Sequence, residues 1–134
     1  MKLSTRSRYG TRMMLDLAQH YDQGPVPVGD IAKRQDISVK YLEQLIIPLK
    51  KAKFIESIRG PKGGHMLTRS PDNIRVGELV RVLEGELDLI HCISDPEACE
   101  RREECLTRGV WEEVSRAVLD KLNATTLADM ISGE

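Results

Sequence analysis

The pentapeptide Gly60-Pro61-Lys62-Gly63-Gly64 limits what this chain can fold into more than any other stretch of its sequence. Proline presets one turn angle, glycine supplies the angles closed to other residues, and the segment separates two β-prone runs, Phe54 to Arg59 and His65 to Thr68. The pattern predicts a β-hairpin with a basic tip. Upstream, Tyr9, Met13, Leu17 and Tyr21 recur every four residues between Arg6 and Tyr21, with Met14 and Ala18 beside them. That stripe predicts a first helix ended by Gly24-Pro25. Val26-Pro27-Val28 reads as extended, because residues before proline avoid the helical region. A short second helix follows from about Asp30 to Gln35, with Ile31 and Ala32 turned inward. Ser38 is a good N-cap for a third helix carrying Val39, Leu42, Leu45, Ile46 and Leu49 at helical spacing. Pro48 predicts a kink there, with Lys50, Lys51 and Lys53 near the carboxyl end. Three short helices and then a basic hairpin is the order of a winged helix-turn-helix, a mainly α fold with a small β-hairpin.

The net charge of −1 conceals a division of the chain into opposite halves. Residues 1–75 carry 14 Lys and Arg against 7 Asp and Glu, whereas residues 76–134 carry 6 against 14. A basic first half suits contact with a polyanion, although solvated charge can also segregate by chance. Residues 1–75 are therefore expected to form a winged-helix DNA-binding region, with helix three in the major groove of double-stranded DNA and the hairpin on backbone or minor groove. On helix three the candidates for reading bases are Ser38, Lys40, Tyr41, Glu43 and Gln44, which lie away from the Leu42, Leu45 and Leu49 positions. Glu43 is the instructive member, since a carboxylate among phosphates is costly unless it accepts from a cytosine amino group. At the tip, Arg59 and Lys62 supply cations, and Gly60, Gly63 and Gly64 leave backbone open to phosphate. His65 is read as a DNA or surface contact and His20 as a solvated helix end.

The second half is organised around a fourth helix, a cysteine-bearing segment and a long amphipathic helix. Val76, Leu79, Val80 and Leu83 form an i, i+3, i+4, i+7 stripe that Gly85 caps. Val110, Trp111, Val114, Ala117, Val118 and Leu122 mark the long helix, and Thr126 starts a short last one with Leu127, Met130 and Ile131. A domain this small offers the long helix little to pack against, so a second copy is expected to cover its stripe. The resulting homodimer matches a palindromic operator, whose half-sites lie about 34 Å apart. No apolar run is long enough to span a membrane, and the N-terminal residues turn polar and basic at once, so the expectation is a cytoplasmic protein without membrane contact. Aromatic residues make up 4%, too few for single-strand stacking platforms. No nucleophile–base set, Walker loop or paired-carboxylate motif stands out, so neither catalysis nor a small-molecule substrate is expected.

All three cysteines, Cys92, Cys99 and Cys105, fall between His91 and Arg108, among Glu97, Glu100, Glu103 and Glu104. Unreactive cysteine normally sits in apolar surroundings, so a polar segment holding three of them points to chemistry. Odd parity and a reducing compartment argue against disulfides. Zinc is possible, yet its sites usually use closely spaced pairs, and the spacing here is Cys-x6-Cys-x5-Cys. Thiolates at irregular spacing suit an iron–sulfur cluster at least as well.

Several motifs together carry a family likeness: Met1-Lys2-Leu3-Ser4 with Arg8-Tyr9, the run Ser38 to Gln44 with Tyr41-Leu42-Glu43-Gln44-Leu45, the wing Arg59 to Gly64, and Cys105-Leu106-Thr107 before Trp111. Over essentially its whole length the chain resembles the IscR-like branch of the Rrf family of bacterial winged-helix regulators. The resemblance implies a homodimeric repressor or activator that holds a 2Fe-2S cluster on Cys92, Cys99 and Cys105 and tunes iron–sulfur assembly genes to cluster supply. One departure matters. The branch completes its cluster with a histidine three residues after the third cysteine, where this chain has Arg108, a cation with no lone pair for iron. Candidates for the fourth position are His91, one of the four nearby glutamates, a group from the other subunit, or a small thiol. A nitric-oxide-sensing branch of similar fold borrows a carboxylate from the N-terminal helix, but the matching position here is Arg8. The alternatives are a regulator that reads thiol oxidation or nitric oxide, a protein-interaction module independent of DNA, and an electron carrier, which leaves the hairpin and helix three without purpose.

Overall fold

The computed structural model describes residues 3–86, 97 and 104–133. Its elements run α1 (Thr5–Gln19), α2 (Val28–Gln35), α3 (Val39–Lys51), β1 (Ile55–Ile58), β2 (Gly64–Leu67), a 3-10 turn at Pro71–Asn73, α4 (Val76–Glu84), α5 (Arg108–Ala124) and α6 (Leu127–Ser132). The two strands pair antiparallel, from Ile55 opposite Leu67 to Ile58 opposite Gly64. This is a winged helix-turn-helix followed by a long helix, the architecture that the helix-and-hairpin order predicts.

Local chemistry moves several boundaries from their predicted places. α1 is capped by Ser4, whose hydroxyl accepts from the Arg6 N–H. It stops at Gln19, short of Gly24-Pro25: the His20 N–H turns to the Leu17 carbonyl at 3.2 Å, and it is the His20 ring nitrogen Nδ1 that donates to the Asp16 carbonyl, at 2.8 Å. That carbonyl is the one a further helical residue would need. Tyr21 therefore lies beyond the helix, yet still packs on the core. α2 starts at Val28 rather than Asp30. Pro27, fixed in an extended conformation, serves as its N-cap residue, and its carbonyl accepts from Asp30 at 3.0 Å. α3 starts where predicted, with the Ser38 hydroxyl accepting from the Tyr41 N–H at 3.1 Å. It runs through Pro48 to Lys51, so proline does not break the helix. The strand β1 omits Phe54, whose N–H is taken by the Leu49 carbonyl.

A single core lies between α1, α3, α4 and the sheet. Met13, Ile31, Leu42, Leu49, Ile74, Leu79 and Leu127 are fully buried in it, each worth about 1.5–3 kcal/mol in removal from water. α1 and α4 approach closely because residue 10 is glycine: a Cβ there would collide with the Leu83 side chain. Gly77 serves α4 and the end of α5 in the same way, where a Cβ would strike Asn123. The C-terminal segment returns to the core through backbone pairing, with Val76 N–H to Thr125 O at 2.8 Å and Leu127 N–H to Ile74 O at 3.0 Å. A capping box between Thr126 and Asp129 then fixes α6, which seats Leu127. α4 and α6, on the acidic side of residue 75, thus close the same core as the basic helices. α5 differs from every other long helix: none of its residues is buried.

Candidate nucleic-acid interface

The sequence of α3 sorts its residues by helical period. Leu42, Leu45, Ile46 and Leu49 are buried, and Lys40, Glu43, Gln44, Ile47 and Lys51 form the opposite, exposed stripe. Three of the predicted base-reading residues, Lys40, Glu43 and Gln44, therefore share one open face. The other two have structural duties. Ser38 spends its hydroxyl as the helix cap. Tyr41 is half-buried, with its hydroxyl 2.7 Å from Thr5 Oγ1 and its ring edge-on to Tyr9, centroids 6.0 Å apart. It ties α3 to the start of α1.

Ionic and hydrogen-bonded contacts set the angle at which α3 is presented. The left-handed Asp36, φ 54°, closes α2 and allows the sharp turn into α3. α2 is locked to α1 by Asp16, a buried carboxylate that accepts from Arg34 Nε at 2.9 Å, Arg34 Nη2 at 2.7 Å and Gln35 Nε2 at 3.0 Å. Burial alone would raise the Asp16 pKa, but the fork from Arg34 and the Gln35 amide outweigh it and hold the carboxyl below its ordinary 3.8. At the other end of α1, Glu84 of α4 accepts from both the Ser4 N–H and the Ser4 hydroxyl at 2.5 Å, with Arg6 at 3.6 Å. The Ser4 bonds depress the Glu84 pKa below 4.5.

The wing stands beside α3. Arg59, Gly60 and Lys62 are exposed at its tip, whereas Gly63 and Gly64 are half-buried. Both of the latter need glycine for the hairpin itself. A Cβ on Gly63 would meet the Ile58 carbonyl inside the turn, and one on Gly64 would meet the Val26 backbone. That second approach exists because Val26 and His65 exchange both backbone hydrogen bonds, at 2.8 and 2.9 Å, fastening the segment before α2 to the wing. His65 is accordingly half-buried, its Nδ1 2.7 Å from Ser57 Oγ. Burial, and then the positive charge of Lys50, lower its pKa below 6.5 and so favour the neutral ring. A cleft between α3 and the wing is lined by Ile47, Lys50, Ile58, Arg59, Gly60 and His65, among others. Arg8 and Arg12, exposed on α1, lie with their guanidinium carbons 5.8 and 5.3 Å from the Tyr9 ring centre. They add positive charge to α1 beside Tyr9, and the Arg12 guanidinium also donates to the Gln35 carbonyl. Sequence reasoning missed them, although two arginines one helical turn apart around a tyrosine were a usable signal.

Of the cysteines, Cys105 is described and half-buried, and Cys92 and Cys99 lie outside the described residues together with His91, Glu100 and Glu103. The Cys105 sulfur is 3.2 Å from Thr107 Oγ1, and its carbonyl accepts from the Arg108 N–H at 3.3 Å. The thiol therefore adjoins the first turn of α5. Arg108 itself, at the position where the resemblance expects histidine, donates from Nε to Glu112 Oε1 at 3.1 Å. Among the described residues no group of three or more His, Cys, Asp and Glu is placed to hold a metal ion, and no helix is long and apolar enough to cross a membrane.

Residues 3–133 match the Rrf2 family, whose description is "Iron-dependent Transcriptional regulator". This chain belongs to the Rrf2 family. It is 49% identical over 131 residues to protein rrf2 of Nitratidesulfovibrio vulgaris, covering 98% of this chain and 87% of that protein. Among solved structures it is similar to T. potens IscR, with a TM-score of 0.79, 42% identity, and 99% and 88% of the two chains covered. It is also similar to CymR, the global cysteine regulator of B. subtilis, with a TM-score of 0.86, 37% identity, and 100% and 98% covered. The Rrf2-family fold and the resemblance to IscR thus agree with the motif reading, and this Rrf2-family chain is a DNA-binding transcriptional regulator.

Proposed function

We propose that this regulator acts in the cytoplasm as a homodimer on a palindromic operator, and that three cysteines report 2Fe-2S cluster status to genes for iron–sulfur assembly. Residues 1–75 contact DNA, through Lys40, Glu43 and Gln44 with Ser38 and Tyr41 behind them, and through Arg59, Gly60, Lys62, Gly63 and Gly64. Residues 76–134 hold the cluster-binding loop, 91–108, and the dimerisation helix. The observation that carries the reading is the position of Cys105. The last of three thiols that the sequence sets between residues 91 and 108 adjoins the helix whose apolar face is open, with Val110 53% and Trp111 41% exposed. A change at the thiols therefore acts directly on the surface that a second subunit would cover. The similarity to IscR supports the same assignment.

The donor set suits the group. Cys92, Cys99 and Cys105 offer three soft thiolates, and Arg108 cannot ligate but offsets their negative charge. Bound there, a 2Fe-2S cluster would supply a redox-active centre that crosslinks the loop at three points. The chain's part is then conformational. Arg108 and Glu112 stiffen the first turn of α5, Cys105 fixes where the loop enters it, and the helix sets the distance between the two reading heads. A hundredfold change in operator occupancy needs the cluster to favour one arrangement by about 2.7 kcal/mol, ordinary for coupled sites. Anaerobic isolation with iron and sulfide analysis and a visible spectrum tests the reading: a coloured protein with near-stoichiometric iron and sulfide supports it, and a colourless protein after reconstitution contradicts it.

A second reading keeps the fold and replaces the cluster by the thiols themselves. Arg108 in place of the expected histidine favours it, as does the similarity to CymR, the global cysteine regulator of B. subtilis. It predicts peroxide-dependent DNA affinity in metal-free protein, lost when Cys105 is replaced by serine.

A further inference from the structure

The exposed stripe of α3 has an apolar residue at its centre. Lys40, Glu43, Gln44 and Ile47 stand at i, i+3, i+4 and i+7, so Ile47 lies on the same line as the polar residues and is flanked at the next turn by Lys50 and Lys51. Its side chain is 68% exposed, the highest among the large apolar residues of the winged-helix body. A single exposed isoleucine elsewhere would be unremarkable. Here it shares one cleft with Ile58, which is 49% exposed across from it on β1, and the cleft is walled by Lys50 and Arg59. Two exposed apolar side chains and two cations thus line one cleft, which Ile47 joins to the exposed stripe of α3.

The occupant that fits this arrangement is duplex DNA. The cations match phosphates, and the one apolar feature that a base pair shows in the major groove is the C5-methyl group of thymine. A second protein would cover the isoleucines but leave Lys50 and Arg59 unmatched unless it were acidic. We propose that Ile47 is a specificity-determining residue that packs on a thymine methyl group, with Ile58 closing the cleft behind it. The inference rests on the reading of α3 as the recognition helix and adds a base preference to it.

The test uses the full-length protein and an operator that wild type selects from randomised duplex DNA. Each thymine is replaced in turn by deoxyuridine, which removes the methyl group and keeps every hydrogen bond. Wild type should lose roughly three- to fivefold in affinity at one thymine per half-site, the loss expected for uncovering about one methyl group. Ile47→Ser should bind the two operators equally at that position. Its thermal unfolding should match wild type, because the side chain it replaces is exposed. If Ile47→Ser keeps the full thymine preference, or if wild type responds to no deoxyuridine substitution, the inference is overturned. Gln44→Ala and Arg59→Ala separate this failure from a deeper one. If they weaken binding while Ile47→Ser does not alter the thymine response, the recognition-helix reading stands and only the role of Ile47 falls. If both bind as wild type does, or if no operator is enriched, the reading falls with it.

Discussion

α3 and α5 are both amphipathic helices of this chain, and their apolar faces meet opposite fates. α3 buries Leu42, Leu45, Ile46 and Leu49 within its own subunit, while α5 buries none of its residues and leaves Val110, Trp111 and Val114 open. The periodicity that predicts a covered face is equally plain in both. What differs is supply: α1, α4 and the sheet enclose α3, whereas α5 touches its own chain mainly along α4, where Leu119, Leu122 and Asn123 face Val80 and Arg81. A hydrophobic stripe states that something will cover it and not which molecule. The winged-helix body, with α4 and α6, encloses its own core; α5 keeps its apolar face exposed, and the proposal is that a second copy covers it.

The sharpest way to break this contrast is to charge the open face. Trp111→Glu combined with Val114→Glu should convert a dimer to a monomer by light scattering and lower operator affinity at least about a hundredfold, the loss that accompanies separation of two linked binding sites. Thermal unfolding of the winged-helix body should survive the change. A dimer that persists would return α5 to its own subunit. Next in size is the matched pair Leu42→Ala and Val110→Ala, read by urea denaturation of the monomeric background. The first should cost about 2–5 kcal/mol as a core cavity and the second less than about 0.5 kcal/mol. Equal costs would mean that the two faces do not differ.

A smaller effect belongs to the ionic frame that orients α3. Asp16 and Glu84 both have depressed pKa values, so their stabilisation is complete above the ordinary values of 3.8 and 4.5 and disappears as pH falls through the lower, folded values. Their contribution should be constant from pH 7 to about 5 and decline on further acidification, whereas the depressed His65 pKa removes stability as pH falls below its ordinary 6.5. Asp16→Asn should cost about 2 kcal/mol at pH 7, through the unmatched Arg34, and should flatten that decline. An undiminished acid response in the variant would assign it elsewhere. The smallest effects separate the wing from the helix. Arg59→Ala should weaken binding to all sequences and reduce the salt slope by about one, whereas Gln44→Ala should relax preference at one operator position. A change of sequence preference from Arg59→Ala alone would move the wing from backbone to bases.

How much of this was legible depends on whether a contact leaves a local trace. The Ser38 cap, the buried stripe of α4, the Gly85 terminus and the hairpin between Ile58 and Gly64 are written in adjacent residues, and they appear where the sequence indicates. Asp16 with Arg34, Ser4 with Glu84, and Val26 with His65 join residues 18, 80 and 39 positions apart, and no periodicity marks such pairs. The same holds for the glycines. Gly10 and Gly77 look like poor helix residues until the neighbouring helix is seen at contact distance. Gly63 and Gly64, expected to open backbone to phosphate, prove necessary for the hairpin's own closure. Tyr41 and Ser38 sit in the right helix by sequence, but their hydroxyl groups are engaged within the protein. Residue types and spacing locate the candidate recognition helix, and only packing shows which of its side chains stay exposed.

The central claim is that the thiol-bearing segment governs how the paired heads meet DNA. It is tested most directly by measuring operator affinity of the same protein preparation after anaerobic reconstitution with iron and sulfide and after removal of both by chelation. The account predicts a difference of about a hundredfold between the two forms, corresponding to about 2.7 kcal/mol of coupling. Equal affinity of the reconstituted and chelated protein, with iron and sulfide analysis confirming that each state was reached, would contradict it.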